Sequence, residues 1–173
     1  MTPAEALAYL HQLSQFGFQP GLDSTRRLAA AVGNPQERLR FIHVAGTNGK
    51  GSTCAFLESM YRAAGFRTGL YTSPHLVRFH ERIRLGAPGG GHLVGEATLV
   101  DAFQRCEKAN AGAPITLFEM TTAAAFLLFS ENPAHVLLLE VGLGGIYDAT
   151  NVIDKPLATV ITPISRDHAE YLG

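Results

Sequence analysis

The chain has 173 residues, of which 46% are apolar and 17% charged, and its net charge is −1. This length suits one ordinary α/β core, and the balance excludes a disordered chain. A charge so close to zero gives no bulk attraction to nucleic acid or acidic membranes, so neither is expected as a partner. No signal peptide is expected, and the longest apolar run, Ala123 to Phe129, is too short to cross a bilayer. Cys54 and Cys106 have no metal-ligand spacing. They read as reduced thiols of a cytoplasmic protein, with a bridge between them left open.

Thr2 is placed to cap a first helix, with Pro3 at its first position and Glu5 closing a capping box, and this helix runs to about Gln15. Phe16 to Gly21 reads as a loop. Asp23 or Ser24 then caps a second helix through Val32, closed by Gly33-Asn34-Pro35. Residues 1–40 are thus N-terminal helices ahead of a core over 41–173.

Phe41 to Val44 is a short, β-favouring apolar strand. It runs into Gly46-Thr-Asn-Gly-Lys-Gly-Ser52, after which Phe56, Leu57, Met60, Tyr61 and Ala64 recur at helical spacing, with Phe56 and Met60 expected in the core. Strand, glycine loop, lysine, hydroxyls and helix make the setting of a phosphate-binding loop. The glycines allow N–H groups to turn toward an anion, and the helix start adds unpaired donors and partial positive charge. Lys50 can reach terminal phosphates, and Ser52 or Thr53 can hold magnesium or a phosphate oxygen. The strict loop pattern is not met, because Val44 stands where it wants glycine and Gly51 where it wants a hydroxyl.

Gly65 ends that helix. Thr68 to Thr72 is a second strand, leading to Ser73-Pro74-His75. Phe79 to Leu85 alternates like a strand, with His80, Arg82 and Arg84 on one side. Gly86 to Gly91 turns it back through His92 to Val94, a small hairpin insertion near 79–95. Arg78, His80, Arg82 and Arg84 are candidates to gather an anionic substrate, although Arg84 fits a solvated hairpin face better. Ala97 to Ala109 is an amphipathic helix. Phe118 and Glu119 open a helix through Ser130 that is apolar nearly all round and so deeply buried. Val136 to Leu139 is a strand buried on both faces, ending at Glu140, and Leu157 to Thr162 reads as another, ending before Asp167 and His168. The expected fold is α/β, three-layered, with a mostly parallel sheet.

In such a sheet, ligands bind beyond the carboxyl ends of the strands. The phosphate loop, Ser73, Glu140 and His168 stand at four such ends, which should lie on one edge. A divalent cation bridging phosphates would give Ser73, Glu140 and His168 a common reason, with magnesium or, for the imidazole, manganese as the metal. Asp148 either orients a substrate hydrogen-bonding group or caps a turn.

The phosphate loop, Tyr71-Thr-Ser-Pro-His-Leu76, Glu81-Arg82, Phe118-Glu119, Leu139-Glu-Val-Gly-Leu-Gly-Gly145, Asp148-Ala-Thr-Asn151 and Asp167-His168 occur together in this order. The set closely resembles the bifunctional dihydrofolate synthase/folylpolyglutamate synthase family, within the Mur ligase superfamily. The resemblance implies a Mur ligase-like ATPase domain and an ATP- and Mg2+-dependent ligase. That ligase joins the carboxylate of dihydropteroate or folate to L-glutamate through an acyl phosphate. It implies ATP binding by Gly46, Thr47, Asn48, Gly49, Lys50, Gly51 and Ser52, metal binding by Ser73, Glu140 and His168, and catalytic roles for Lys50, Glu140 and His168. Thr116, Leu117, Phe118 and Glu119, with Tyr147, Asp148 and Ala149, match its pterin contacts, and Arg82 joins them as a substrate residue. Ile146 and Arg166 depart from the family pattern. Relatives are more than twice as long, so the chain is expected to be an N-terminal portion without the C-terminal ligase domain and without turnover alone. The full enzyme is expected to be a cytoplasmic monomer. A non-catalytic nucleotide-binding module and another Mur-type amino-acid ligase are the alternatives.

Overall fold

A computed structural model describes residues 1–17 and 19–168. Its strands are β1 (Phe41–Ala45), β2 (Thr68–Tyr71), β3 (Ile83–Ala87), β4 (Gly90–Leu93), β5 (Val136–Glu140) and β6 (Ala158–Ile161), and its helices are α1 (Pro3–Ser14), α2 (Asp23–Ala31), α3 (Lys50–Ala63), α4 (Glu96–Asn110) and α5 (Leu117–Glu131). The six strands form one sheet in the order β4-β3-β2-β5-β1-β6. β2, β5, β1 and β6 run parallel, and β3 and β4 add an antiparallel edge.

The apolar run of β5 puts it at the sheet's centre. Successive side chains alternate across a strand, so a strand without polar positions needs cover on both faces. Leu137 and Leu139 pack with Phe41, Phe126 and Phe129 beneath α5, while Val136 and Leu138 pack with Ile42, Val44, Leu70 and Cys54 beneath α3. These are the three expected layers. Cys54 and Cys106 are free, buried thiols in the two different clusters, so no bridge joins them. The Thr2–Glu5 capping box forms as expected, with Thr2 N–H donating to Glu5 at 2.6 Å and Glu5 N–H donating to the Thr2 hydroxyl at 3.2 Å. Among the described residues, no helix is long and apolar enough to cross a membrane.

Five local expectations change. α2 starts at Asp23 with Leu22 at its cap and no side-chain capping bond; the Ser24 hydroxyl donates instead to Glu119 on α5. Phe79–Arg82 is a 3-10 turn rather than strand. The Glu81 carboxylate accepts the N–H groups of Leu76, Val77 and Arg78 at 2.7, 3.2 and 2.9 Å, and this bends the segment before β3. The expected hairpin itself forms as β3 and β4, and β3 pairs with β2, so it continues the main sheet.

Phe56 and Met60 are 66% and 64% exposed, not core. α3 turns Cys54 and Glu58 to the sheet instead, and Arg84 holds Glu58 there at 3.0 Å. Arg84 is therefore paired under α3 and not a solvated face residue. Finally, β6 is not buried on both faces, since Leu157 and Ile161 are 50% and 66% exposed. It is the outermost strand among the described residues, with β1 as its neighbour.

Candidate functional site

The parallel register brings the four strand ends to one edge: Val44 is level with Glu140, Ala45 with Ile161, and Tyr71 with Leu139. The loop after β1 turns through Gly46 (φ +130°) and Gly49 (φ +85°), a left-handed backbone region that only glycine enters freely. A Cβ at Gly46 would lie 2.8 Å from the Thr162 carbonyl oxygen, so the loop is pressed against the end of β6. The Thr47 hydroxyl donates to Ser165 O and accepts from Ser165 N–H, both at 3.0 Å. Lys50 opens α3, and its ammonium donates back to Gly46 O at 2.9 Å and Thr47 O at 3.2 Å. Thr53 N–H is the first to bond within the helix, to Gly49 O, and no side chain caps the start. The amides of Lys50, Gly51 and Ser52 therefore face outward, with the helix's positive end behind them.

Glu140 ends β5 and is buried, and its carboxylate accepts Ser73 N–H at 3.2 Å. A side chain at Gly51 would lie 3.5 Å from its Oε1, so the phosphate loop passes directly over the acid. Burial pushes the Glu140 carboxyl up, against the pull of the Ser73 amide and the Lys50 charge. A desolvated carboxylate beside a serine offers the hard oxygen donors that magnesium or manganese takes, so these residues fit such an ion. Among the described residues no three His, Cys, Asp or Glu side chains cluster for a metal. His168 lines the cleft that Ser73 lines, but its half-exposed ring lies 3.8 Å from the Asp167 carboxylate.

Two clefts open here. One, of about 670 Å³, is lined by Gly46, Thr47, Lys50 and Arg166. The other, of about 470 Å³, is lined by Thr116, Leu117, Phe118 and Glu119 at the start of α5, by Tyr147, Asp148 and Ala149, and by Arg82. Gly142, Leu143 and His168 line both, so the clefts share a wall. Ile146, beside that wall, is 75% exposed.

Several of these side chains build the cleft as well as face it. Glu119 closes a capping box with Thr116, accepting its N–H at 2.8 Å, and also accepts from Ser24 and from Thr25. Asp148 accepts Leu143 N–H at 2.8 Å, Thr150 N–H at 3.0 Å and the Thr150 hydroxyl at 2.5 Å. Burial pushes the Asp148 carboxyl up, and these bonds draw it back. Asp148 thus caps the turn that shapes the shared wall, the second of its two sequence readings. The Thr150 hydroxyl also lies 2.8 Å from Nε2 of His43, whose pKa burial lowers to about 4. The Phe118 ring packs on Gly142, with the Tyr71 ring 5.9 Å away.

Of the basic set, only Arg82 lines either cleft; Arg78 and His80 do not. The sequence reading missed Phe16, Gly17, Gln19 and Gly21, which wall the smaller cleft, and Ser165, which clamps Thr47. An aromatic-glycine run between two helices was the available signal for the first group. No residue pattern marks the second.

The family model described as the Mur ligase middle domain matches residues 44–173. The dihydrofolate synthase/folylpolyglutamate synthase of Bacillus subtilis is 43% identical over 98% of this chain and 40% of its own length. E. coli FolC in complex with DHPP and ADP superposes with a TM-score of 0.89 at 40% identity, covering 100% of this chain and 41% of that one. The Yersinia pestis bifunctional folylpolyglutamate synthase/dihydrofolate synthase complexed with AMPPNP and Mn ion superposes at 0.87 with 38% identity, over the same shares of 100% and 41%. The chain therefore spans about two-fifths of the length of the relatives it matches.

Proposed function

The chain belongs to the Mur ligase middle-domain family, and from that premise we propose that it serves an ATP-dependent carbon–nitrogen ligase that joins the carboxylate of dihydropteroate or a folate to L-glutamate. The observation that carries this reading is the wall of Gly142, Leu143 and His168 common to the phosphate-loop cleft and the aromatic-lined cleft. A carboxylate is a poor acyl donor, and transfer of a phosphoryl group to it creates the leaving group that an incoming amine displaces. A shared wall brings phosphoryl donor and carboxylate to one junction. That the Yersinia pestis relative is complexed with AMPPNP and Mn, and that a further bifunctional folylpolyglutamate synthase/dihydrofolate synthase has Mn, AMPPNP and L-glutamate bound, supports ATP, a divalent metal and glutamate as this chain's ligands.

In this reading, the amides of Gly49, Lys50, Gly51 and Ser52 receive phosphate oxygens, with Gly46, Thr47 and Asn48 shaping the loop. Lys50 releases its two carbonyl partners to meet the terminal phosphates. Ser73 and Glu140, with His168 at the rim, are the residues that would hold magnesium, which supplies positive charge against the phosphate oxygens. Phe118, Leu117, Tyr147 and Ala149 offer apolar contact to a flat ring, Thr116, Glu119 and Asp148 fix the walls, and Arg82 faces the substrate's anionic end. Residues 1–40 close the substrate side, and the phosphate-loop core begins at residue 41. The full-length enzyme is a cytoplasmic monomer in this reading.

The test is thermal unfolding of the chain with magnesium–ATP and 7,8-dihydropteroate. A ligand at a hundred times its Kd stabilises by about 2.7 kcal/mol, so a clear rise in Tm is expected. Lys50→Met should abolish the part due to nucleotide. A rise with a muramyl-peptide precursor and none with dihydropteroate would overturn the substrate assignment.

A further inference from the structure

Arg82 is the one basic side chain of its segment that faces the substrate cleft, and its guanidinium is held from two sides. Its Nε–H donates to Nδ1 of His75 at 3.0 Å, and its Cζ lies 5.0 Å above the Phe79 ring. The His75 and Phe79 rings are themselves 5.5 Å apart, and Phe79 is braced by Phe103 at 5.8 Å. The backbone is fixed as well, since Thr72 N–H donates to Arg82 O at 3.0 Å. Burial disfavours the Arg82 charge. Among the described residues, no carboxylate lies within ion-pair distance of it.

A guanidinium cannot accept a hydrogen bond, so Nδ1 of His75 must present its lone pair. That bond occupies Nε and leaves both terminal nitrogens, whose paired N–H groups match the two oxygens of a carboxylate. We infer that His75 is a positioning residue that turns the Arg82 guanidinium edge-on into the cleft to receive the carboxylate of the substrate. This rests on the function proposed above and names the group that orients its anion-binding arginine. The loop carrying His75 is fixed independently of Arg82, because Glu81 accepts the N–H groups of Leu76, Val77 and Arg78.

The experiment measures, on the chain itself, binding of 7,8-dihydropteroate and of its methyl ester, which lacks the anionic oxygens. The variants are His75→Leu, His75→Asn and Arg82→Gln, each checked for an unchanged Tm. His75→Leu removes the acceptor, whereas the amide oxygen of His75→Asn stands in for Nδ1. His75→Leu should weaken dihydropteroate binding by about tenfold, the usual order for a hydrogen bond to a charged group, and leave the ester within about twofold. His75→Asn should restore most of the loss. An equal loss of both ligands, or a His75→Asn variant as weak as His75→Leu, overturns the inference, because either points to cleft shape alone. A tenfold loss in Arg82→Gln with none in His75→Leu sinks the role of His75 and leaves the proposed function standing. No loss in Arg82→Gln, or no binding by the unaltered chain, removes the proposed function and the inference with it.

Discussion

His43 is a test of the hydrogen-bonded chain behind the shared wall. It sits in β1, is 7% exposed, and reaches Thr150, which in turn donates to Asp148. Desolvation lowers its pKa from 6.5 to about 4, so the folded protein holds it neutral where the unfolded chain would bind a proton. The unfolded state therefore takes up more protons between these two values, and stability must fall as pH drops through that window. A shift of this size is worth about 3 kcal/mol once complete, of which about 2 kcal/mol is lost between pH 7 and pH 5. Glu140 and Asp148 work in the opposite direction, since their raised carboxyl pKa values favour the folded state in acid and disfavour it as pH rises. A comparison of two proteins cancels their contributions. His43→Gln keeps an N–H donor for Thr150 and removes the titration. Urea denaturation at pH 7 and pH 5 should show the unaltered chain losing about 2 kcal/mol more than the variant over that interval. Parallel losses in the two proteins would refute the account of His43 as a buried neutral donor.

Two further substitutions probe the packing. A Cβ at Gly142 would lie 2.5 Å from Cζ of Phe118. Gly142→Ala should therefore displace the ring, destabilise the chain by about 1–3 kcal/mol as overpacking does, and weaken dihydropteroate binding in a calorimetric titration; an unchanged affinity would show that Phe118 does not bound the ligand. Phe126 is fully buried, with its ring 5.4 Å from that of Phe41. Phe126→Ala should cost about 3–5 kcal/mol in urea denaturation, and a loss under about 1 kcal/mol would mean that α5 does not pack on β1 as described.

The features legible in the sequence were those decided by a few consecutive residues. The turn from strand through glycine loop to helix is spelled out between Phe41 and Ser52, and the unbroken apolar run Val136 to Leu139 identified a strand covered on both faces. Because those strands are parallel, their carboxyl ends had to meet on one edge, and Lys50, Ser73 and Glu140 stand there. The misreadings lie where the partner of a polar side chain, and not hydrophobic periodicity, decides the local structure. Phe79 to Arg82 alternates like a strand, yet Glu81 bonds back to three amides and winds it into a turn. The periodicity of α3 pointed to Phe56 and Met60, yet the Glu58–Arg84 pair decides which face turns inward. Asp148 and Glu119 carry the same difficulty. Thr116-x-x-Glu119 has capping-box spacing and Asp148 suits a turn cap, yet nothing local shows that Glu119 also takes the Ser24 hydroxyl or that Asp148 also takes the Leu143 amide.

The peptide of Gly142 and Leu143 is a party wall. Space added on one side of it is taken from the other, and the Asp148 hydrogen bond to Leu143 leaves it little room to yield. An engineer seeking to admit a bulkier ring should leave this segment alone and cut instead into the opposite bank, at Phe16, Gly17, Gln19 and Gly21, where the chain borders the smaller cleft without bordering the loop after β1.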